Sequence, residues 1–208
     1  VRYTGYVMRE GDRPDPPAGD GEDEVIVSCG GGALSEALLG CAVDARALSR
    51  RAEDCTWRIL VGHNVPEDEY EDYRARAGEG VIVEWARPDF TGLLARARLS
   101  ISQGGYNTVL DVLEAGVPSV LVPFAQATET EQAQRAKALA AHKRVVVAEE
   151  HNLTPERLAQ AADDALALPR AQHKVLLGGA EKSAEILMEE LKASETSLRQ
   201  ENILLRAR

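Results

Sequence analysis

Apolar positions along the chain fall into short apolar-rich runs separated by stretches in which they recur at helical spacing. The runs are Val25 to Ser28, Trp57 to Val61, Val81 to Glu84, Leu99 to Ser102, Pro118 to Val122 and Arg144 to Val147. Pro118 to Val122, apolar but for Ser119, reads as a strand covered by helices on both faces. Between these runs the pattern predicts helices from Ala33 to about Ser49, Glu67 to Ala77, Pro88-Asp89 through Ala97, Val109 to the Gly116 stop, Thr128 to Ala141, and Thr154 to about Leu168. In the last of these, Thr154 is the expected cap and Pro155 the first helical residue. Strand and helix alternating six times predict an α/β fold, a doubly wound Rossmann-like parallel sheet of about six strands with its ligand at the switch in strand order.

The ends of the chain depart from this alternation. Arg2 to Met8 alternate enough for a short entry strand, and Glu10 to Glu24, EGDRPDPPAGDGEDE, reads as a mobile surface loop, too polar and breaker-rich to pack. Ala171 to Lys192 reads as further helix, followed by a tail, ASETSLRQENILLRAR, that frays or needs a partner. The expected division is a Rossmann-like domain over 1–170 and a helical extension over 171–208. A length of 208 residues suits one domain, or one half of a two-domain enzyme. Valine rather than methionine at position 1 is expected of a chain cut from a longer protein or processed.

Charge narrows the partners. Asp and Glu outnumber Lys and Arg by 34 to 24, and no basic run stands out, which argues against a nucleic-acid backbone. The expectation is a chain with no signal peptide, and no apolar run in it approaches the roughly 18 to 20 residues of a membrane span. Cys29, Cys41 and Cys55 are odd in number and lack metal spacing, and so read as free thiols in a reducing cytoplasm.

Candidate chemistry concentrates in LSISQGGYNTVLDVLEAGVPSVLVPFAQATETEQ, residues 99–132. Gly104 and Gly105 break a strand just ahead of a helix, and such a helix start offers unpaired N–H groups to an anion. Asn107, Thr108 and Asp111 share one helix face near that end, and a carboxylate there suits a vicinal diol. The alternative is structural: Asn107 and Thr108 cap the helix, and Asp111 sits favourably near its positive pole. Cys29-Gly30-Gly31-Gly32 turns the first strand into its helix, and three glycines let a backbone approach a pyrophosphate closely. His63 lies at the carboxyl end of the second strand. A loop histidine is more often solvated than catalytic.

The segment QGGYNTVLDVLEAGVPSVLVPF, followed by ETEQAQRAKAL, resembles the donor-binding half of family 28 glycosyltransferases, the GT-B group that contains the bacterial lipid II N-acetylglucosaminyltransferase. The similarity covers about Arg2 to Leu168. It implies the C-terminal half of a GT-B fold and a metal-independent transfer of a hexosyl group, N-acetylglucosaminyl first among them, from a UDP-sugar to an acceptor hydroxyl. It also implies that Asp111 grips the ribose hydroxyls, where the family carries Glu, and that Thr108 contacts the nucleotide sugar. Glu131 and Gln132 would read sugar hydroxyls, Arg9 would meet the diphosphate, and the backbone at Arg87 would pair with the uracil edge. The phosphate loop falls on Gly30, Gly31 and Gly32, where the family has a serine at the Gly30 position. No cofactor beyond the donor substrate is implied. The general base and the acceptor pocket belong to an amino-terminal half or a separate subunit, so the catalytic residues are not assigned. The alternatives are a UDP-sugar 2-epimerase or hydrolase relative, or a nucleotide-sugar-binding subunit without activity.

Overall fold

The structure, a computed structural model, describes residues 2–7, 14–29, 36–124, 130–170 and 178–206, the backbone alone over 195–206. Two compact units divide the chain: Asp12–His173, and Val1–Gly11 together with Lys174–Arg208.

The larger unit alternates strand and helix. Its elements are β1 (Val25–Ser28), α1 (Glu36–Ala45), β2 (Trp57–Val61), α2 (Glu67–Arg76), β3 (Val81–Trp85) and α3 (Phe90–Arg96). They continue with β4 (Leu99–Ser102), α4 (Tyr106–Ala115), β5 (Ser119–Leu121), α5 (Glu131–Ala141), β6 (Val146–Val147) and α6 (Pro155–Ala165). The strands form a parallel sheet in the order β3-β2-β1-β4-β5-β6. The chain therefore reverses its winding between β1 and β4, and the doubly wound expectation holds. In such sheets the diverging connections leave a crevice beyond the carboxyl ends of those two strands.

Alternation along each strand divides the core. Val25, Val27, Trp57, Ile59, Leu99, Ile101 and Val120 pack with α1, α2 and α6 on one face. Ile26 and Leu60 lie under Leu93, Leu94 and Val112 of α3 and α4 on the other. Trp57 is fully buried and spends its indole N–H on the Ala52 carbonyl at 3.2 Å, so its large apolar area is gained without an orphaned donor.

Local signals fix several boundaries. Gly116 closes α4 in the left-handed conformation, φ +63°, its N–H returning to the Val112 carbonyl, a conformation in which a Cβ costs about 1 kcal/mol. Thr154 caps α6 as expected, its hydroxyl accepting from the Arg157 N–H at 3.3 Å, with Pro155 first in the helix. The sixth strand shrinks to Val146–Val147.

Two expectations fail. Residues 14–24 are not a loose excursion: Pro16 and Glu24 are buried, Arg96 donates to the carbonyls of Pro16 and Pro17, and Asp20 and Glu24 are salt-bridged to the sheet. Polarity misled because the acids find arginines across the fold. Arg2 to Val7 do not form a strand. In the smaller unit they run alongside α7 (Gly179–Arg206), where the Tyr6 carbonyl accepts the Gly179 N–H at 3.1 Å in place of a strand ladder. A Cβ at Gly179 would sit 2.7 Å from that carbonyl, so only glycine permits the approach. Among the described residues no helix is long and apolar enough to cross a membrane.

At the end of the sheet away from the crevice, Asp163 of α6 accepts from the Ser49 hydroxyl at 2.7 Å and from the backbone N–H groups of Arg50 and Arg51. Burial pushes its carboxyl up, but these bonds outweigh that and hold its pKa below the usual carboxylate range. A group depressed in the folded state stabilises above its unfolded pKa, about 3.9, and that stability is lost as pH falls through the folded value. Melting curves should show Asp163→Asn lowering the melting temperature at pH 7 and flattening its fall below about pH 4. An acid limb as steep as the wild type's would contradict this.

Candidate functional site

The carboxyl ends of β1 and β4 lie side by side, Ser28 in register with Ser102. A cavity of about 190 Å³ opens there, lined by Ser28, Leu60, Ala86, Arg87, Phe90, Thr108 and Asp111. Whole small-molecule sites run to about 300 to 1,000 Å³, so this volume suits one part of a ligand. Three residues singled out from sequence, Arg87, Thr108 and Asp111, thus share one wall system.

The floor carries an unusual feature. Among the described residues, Ser28, Ser100 and Ser102 each have a buried hydroxyl oxygen without a hydrogen-bond partner. Their alternation with Val27, Leu99 and Ile101 turns them all towards the α3 and α4 side. An orphaned buried hydroxyl costs about 1 to 3 kcal/mol. Ser100 lies in mid-strand between Ile26 and Ser119 in register, fully buried, whereas Ser28 ends its strand and borders the cavity.

One side wall is built by charge. Arg58 on β2 is buried and grips Glu24 with two bonds, 2.7 and 2.8 Å, while also donating to Glu84 at 3.0 Å and Asp20 at 3.2 Å. Asp20 and Glu84 in turn receive Arg87, whose guanidinium also forks onto Asp89 at 2.9 and 2.5 Å. The Asp89 bonds raise the pKa of Arg87, and the bond from Arg87 holds the Asp20 carboxyl below the usual range. The side chain of Arg87 is thus committed to this network, and what it offers the cavity is its position beside Ala86. The Ala86 N–H goes to the Val61 carbonyl at 2.7 Å, and its carbonyl accepts from His63 Nε2 at 3.0 Å. His63 also stacks on Trp85 and so buttresses this wall.

The opposite wall is the first half of α4. Its N-cap is Gly105, extended at φ −59° and ψ 146°, with no side-chain cap bond. Asn107 and Thr108 lie inside the first turn, so the idea that they cap the helix fails: a cap must precede the first helical residue. Asp111 lies beyond the first turn, past the reach of most of the helix dipole, which weakens the purely structural account of that acid.

Beside Gly104 a second cluster forms. Arg135 of α5 donates to the Gly104 carbonyl at 2.8 Å, pairs with Glu131, and lies over the Tyr106 ring at 5.5 Å. Gln132 packs against Gly104, and its side-chain carbonyl accepts the Phe124 N–H at 3.2 Å. Glu131 and Gln132 therefore stand at the Gly104-Gly105 turn and not in the cavity itself. Sequence reading passed over Arg135, although its spacing of four from Glu131 was a signal for the pair. It also passed over Ser28, whose burial and place at the cavity show only in the fold. Asn107 is exposed, while Arg9 and Gly30 to Gly32 lie outside the described residues.

The parallel sheet with its site at the β1/β4 switch is the architecture of a GT-B glycosyltransferase half. The glycosyltransferase of kitacinnamycin matches it with a TM-score of 0.59 at 22% identity, over 95% of this chain and 49% of that one. The model of the glycosyltransferase family 28 C-terminal domain matches residues 25–191, and the chain belongs to that family. The UDP-N-acetylglucosamine--N-acetylmuramyl-(pentapeptide) pyrophosphoryl-undecaprenol N-acetylglucosamine transferase of Phenylobacterium zucineum is 30% identical over 74% of this chain and 42% of its own length. Its counterpart in Syntrophotalea carbinolica is also 30% identical, over 78% and 46%. The chain spans about half the length of the curated relatives it matches.

Because Arg58 neutralises a buried Glu24, Arg58→Met should cost about 3 to 5 kcal/mol in urea unfolding, the penalty of stranding a buried charge. Replacing both partners, Arg58→Met with Glu24→Leu, should recover most of it. A single variant as stable as the wild type would show that the network does not hold the wall.

Proposed function

We propose that this chain is the donor-binding half of a glycosyltransferase that transfers a hexosyl group, N-acetylglucosaminyl in the first instance, from a UDP-sugar to an acceptor hydroxyl. The observation that carries the reading is the meeting of Arg87, Thr108 and Asp111 around one cavity at the strand-order switch of a family 28 domain. The names of the relatives, which use UDP-N-acetylglucosamine, support the choice of donor.

On this reading Asp111 takes the ribose diol, and the attached base enters the cavity among Leu60, Ala86 and Phe90. The diphosphate then lies towards Gly104 and Gly105, where the opening N–H groups of α4 face developing negative charge on the leaving group. Arg9 and the Gly30 to Gly32 turn are assigned to the same diphosphate. Glu131 and Gln132, already fixed beside Gly104 by Arg135 and Phe124, read the sugar hydroxyls. Donors preorganised in this way replace a divalent cation. The acceptor and the general base are supplied by a further half or subunit, and the orientation it provides is worth about 7 to 11 kcal/mol. A cytoplasmic location fits Cys29, Cys41 and Cys55, none of which forms a disulfide among the described residues.

Calorimetry with UDP in the presence of a chelator tests the reading. Asp111→Ala removes charge-assisted bonds worth roughly 1.5 to 3 kcal/mol each, so affinity should fall on the order of ten- to a hundredfold. Unfolding free energy should move by about 1 kcal/mol or less. An unchanged dissociation constant removes Asp111 from the site, and loss of wild-type binding on chelation overturns the metal-free account.

A further inference from the structure

We infer that the Ser28 hydroxyl is a recognition group for the base of the bound nucleotide. This rests on the donor-binding reading and adds to it a residue at which the base is read.

Ser28 is 6% exposed, its Oγ has no hydrogen-bond partner among the described residues, and the residue borders the cavity. Of the three orphaned hydroxyls, it alone lines that space; Ser100 and Ser102 are wholly buried and do not line it. Folding leaves an unmet polar group at the edge of a pocket, an arrangement that makes sense if something entering the pocket meets it.

The rest of the lining says what enters. Leu60, Ala86 and Phe90 are apolar, and the Ala86 N–H and carbonyl are already bonded to Val61 and His63. The Arg87 guanidinium is held by Asp20, Glu84 and Asp89. A sugar ring or a phosphate would leave its own polar groups against those apolar walls. A planar nitrogen heterocycle buries its faces and presents ring N–H and carbonyl groups only at its edge. A hydroxyl suits such an edge because its hydrogen rotates, letting it donate or accept. With Asp111 on the same cavity, a ribose held there places its base within the pocket that Ser28 borders.

This predicts opposite effects on binding and stability. Removing the hydroxyl relieves an unmet buried group in the free protein but deletes a bond in the complex. UDP is titrated into the wild type, Ser28→Ala and Ser100→Ala, and each protein is melted without ligand. Ser28→Ala should weaken UDP binding about three- to tenfold without lowering the melting temperature, while Ser100→Ala leaves UDP affinity unchanged. Wild-type affinity in Ser28→Ala overturns the inference and leaves the donor reading standing. A lowered melting temperature alongside lost affinity, or equal losses in both variants, assigns Ser28 to the sheet and also overturns it. A wild type that does not bind UDP overturns both readings.

Discussion

The buried guanidinium of Arg58 is the contact on which the candidate site depends. It stands on β2 with its side chain 6% exposed and draws Glu24, Glu84 and Asp20 onto one centre. Two of those acids then hold Arg87. A polar segment, 14–24, and the end of β3 are thereby fixed to the sheet, and the turn carrying Ala86 and Arg87 becomes a cavity wall. A buried pair of this kind gains little over well-packed apolar residues but is costly to break, which makes it a device for position more than for stability. On the far side of the cavity, the Gly105 start of α4 and the clasp of Arg135 on Gly104 hold Thr108 and Asp111 opposite that wall.

What was legible in the sequence was local. Short apolar-rich runs marked the strands, as expected of a sheet covered on both faces, even though Arg58 interrupts β2 and serines alternate along β4. The Gly116 stop and the Thr154-Pro155 start were readable because each is satisfied within a few residues of itself. Alternation together with the crossover rule gave a doubly wound sheet with its ligand at a switch in strand order; which strands flank that switch, β1 and β4, shows only in the fold.

What was not legible depends on partners distant in the chain. Residues 14–24 looked like solvated loop because Arg58, Arg87 and Arg96, which bind them, lie on other elements. Arg2 to Val7 had the alternation of a strand but no strand beside it, and Tyr6 pairs instead with the start of α7. Asn107 and Thr108 are good capping residues, yet the glycine before Tyr106 takes the extended cap conformation and places them inside the helix. Ser28 read as an ordinary polar strand end, since nothing in the sequence says that its hydroxyl is buried and unmet.

The central claim is that a nucleotide diphosphate sits between the Ala86 turn and the start of α4. Amide hydrogen exchange with and without UDP tests it most directly. The account predicts slowed exchange confined to two stretches, from Ala86 to Phe90 and from Gly104 to Asp111, with α2 and α6 unaffected. Protection centred elsewhere, for instance between α1 and α2, with those two stretches unchanged, would contradict it.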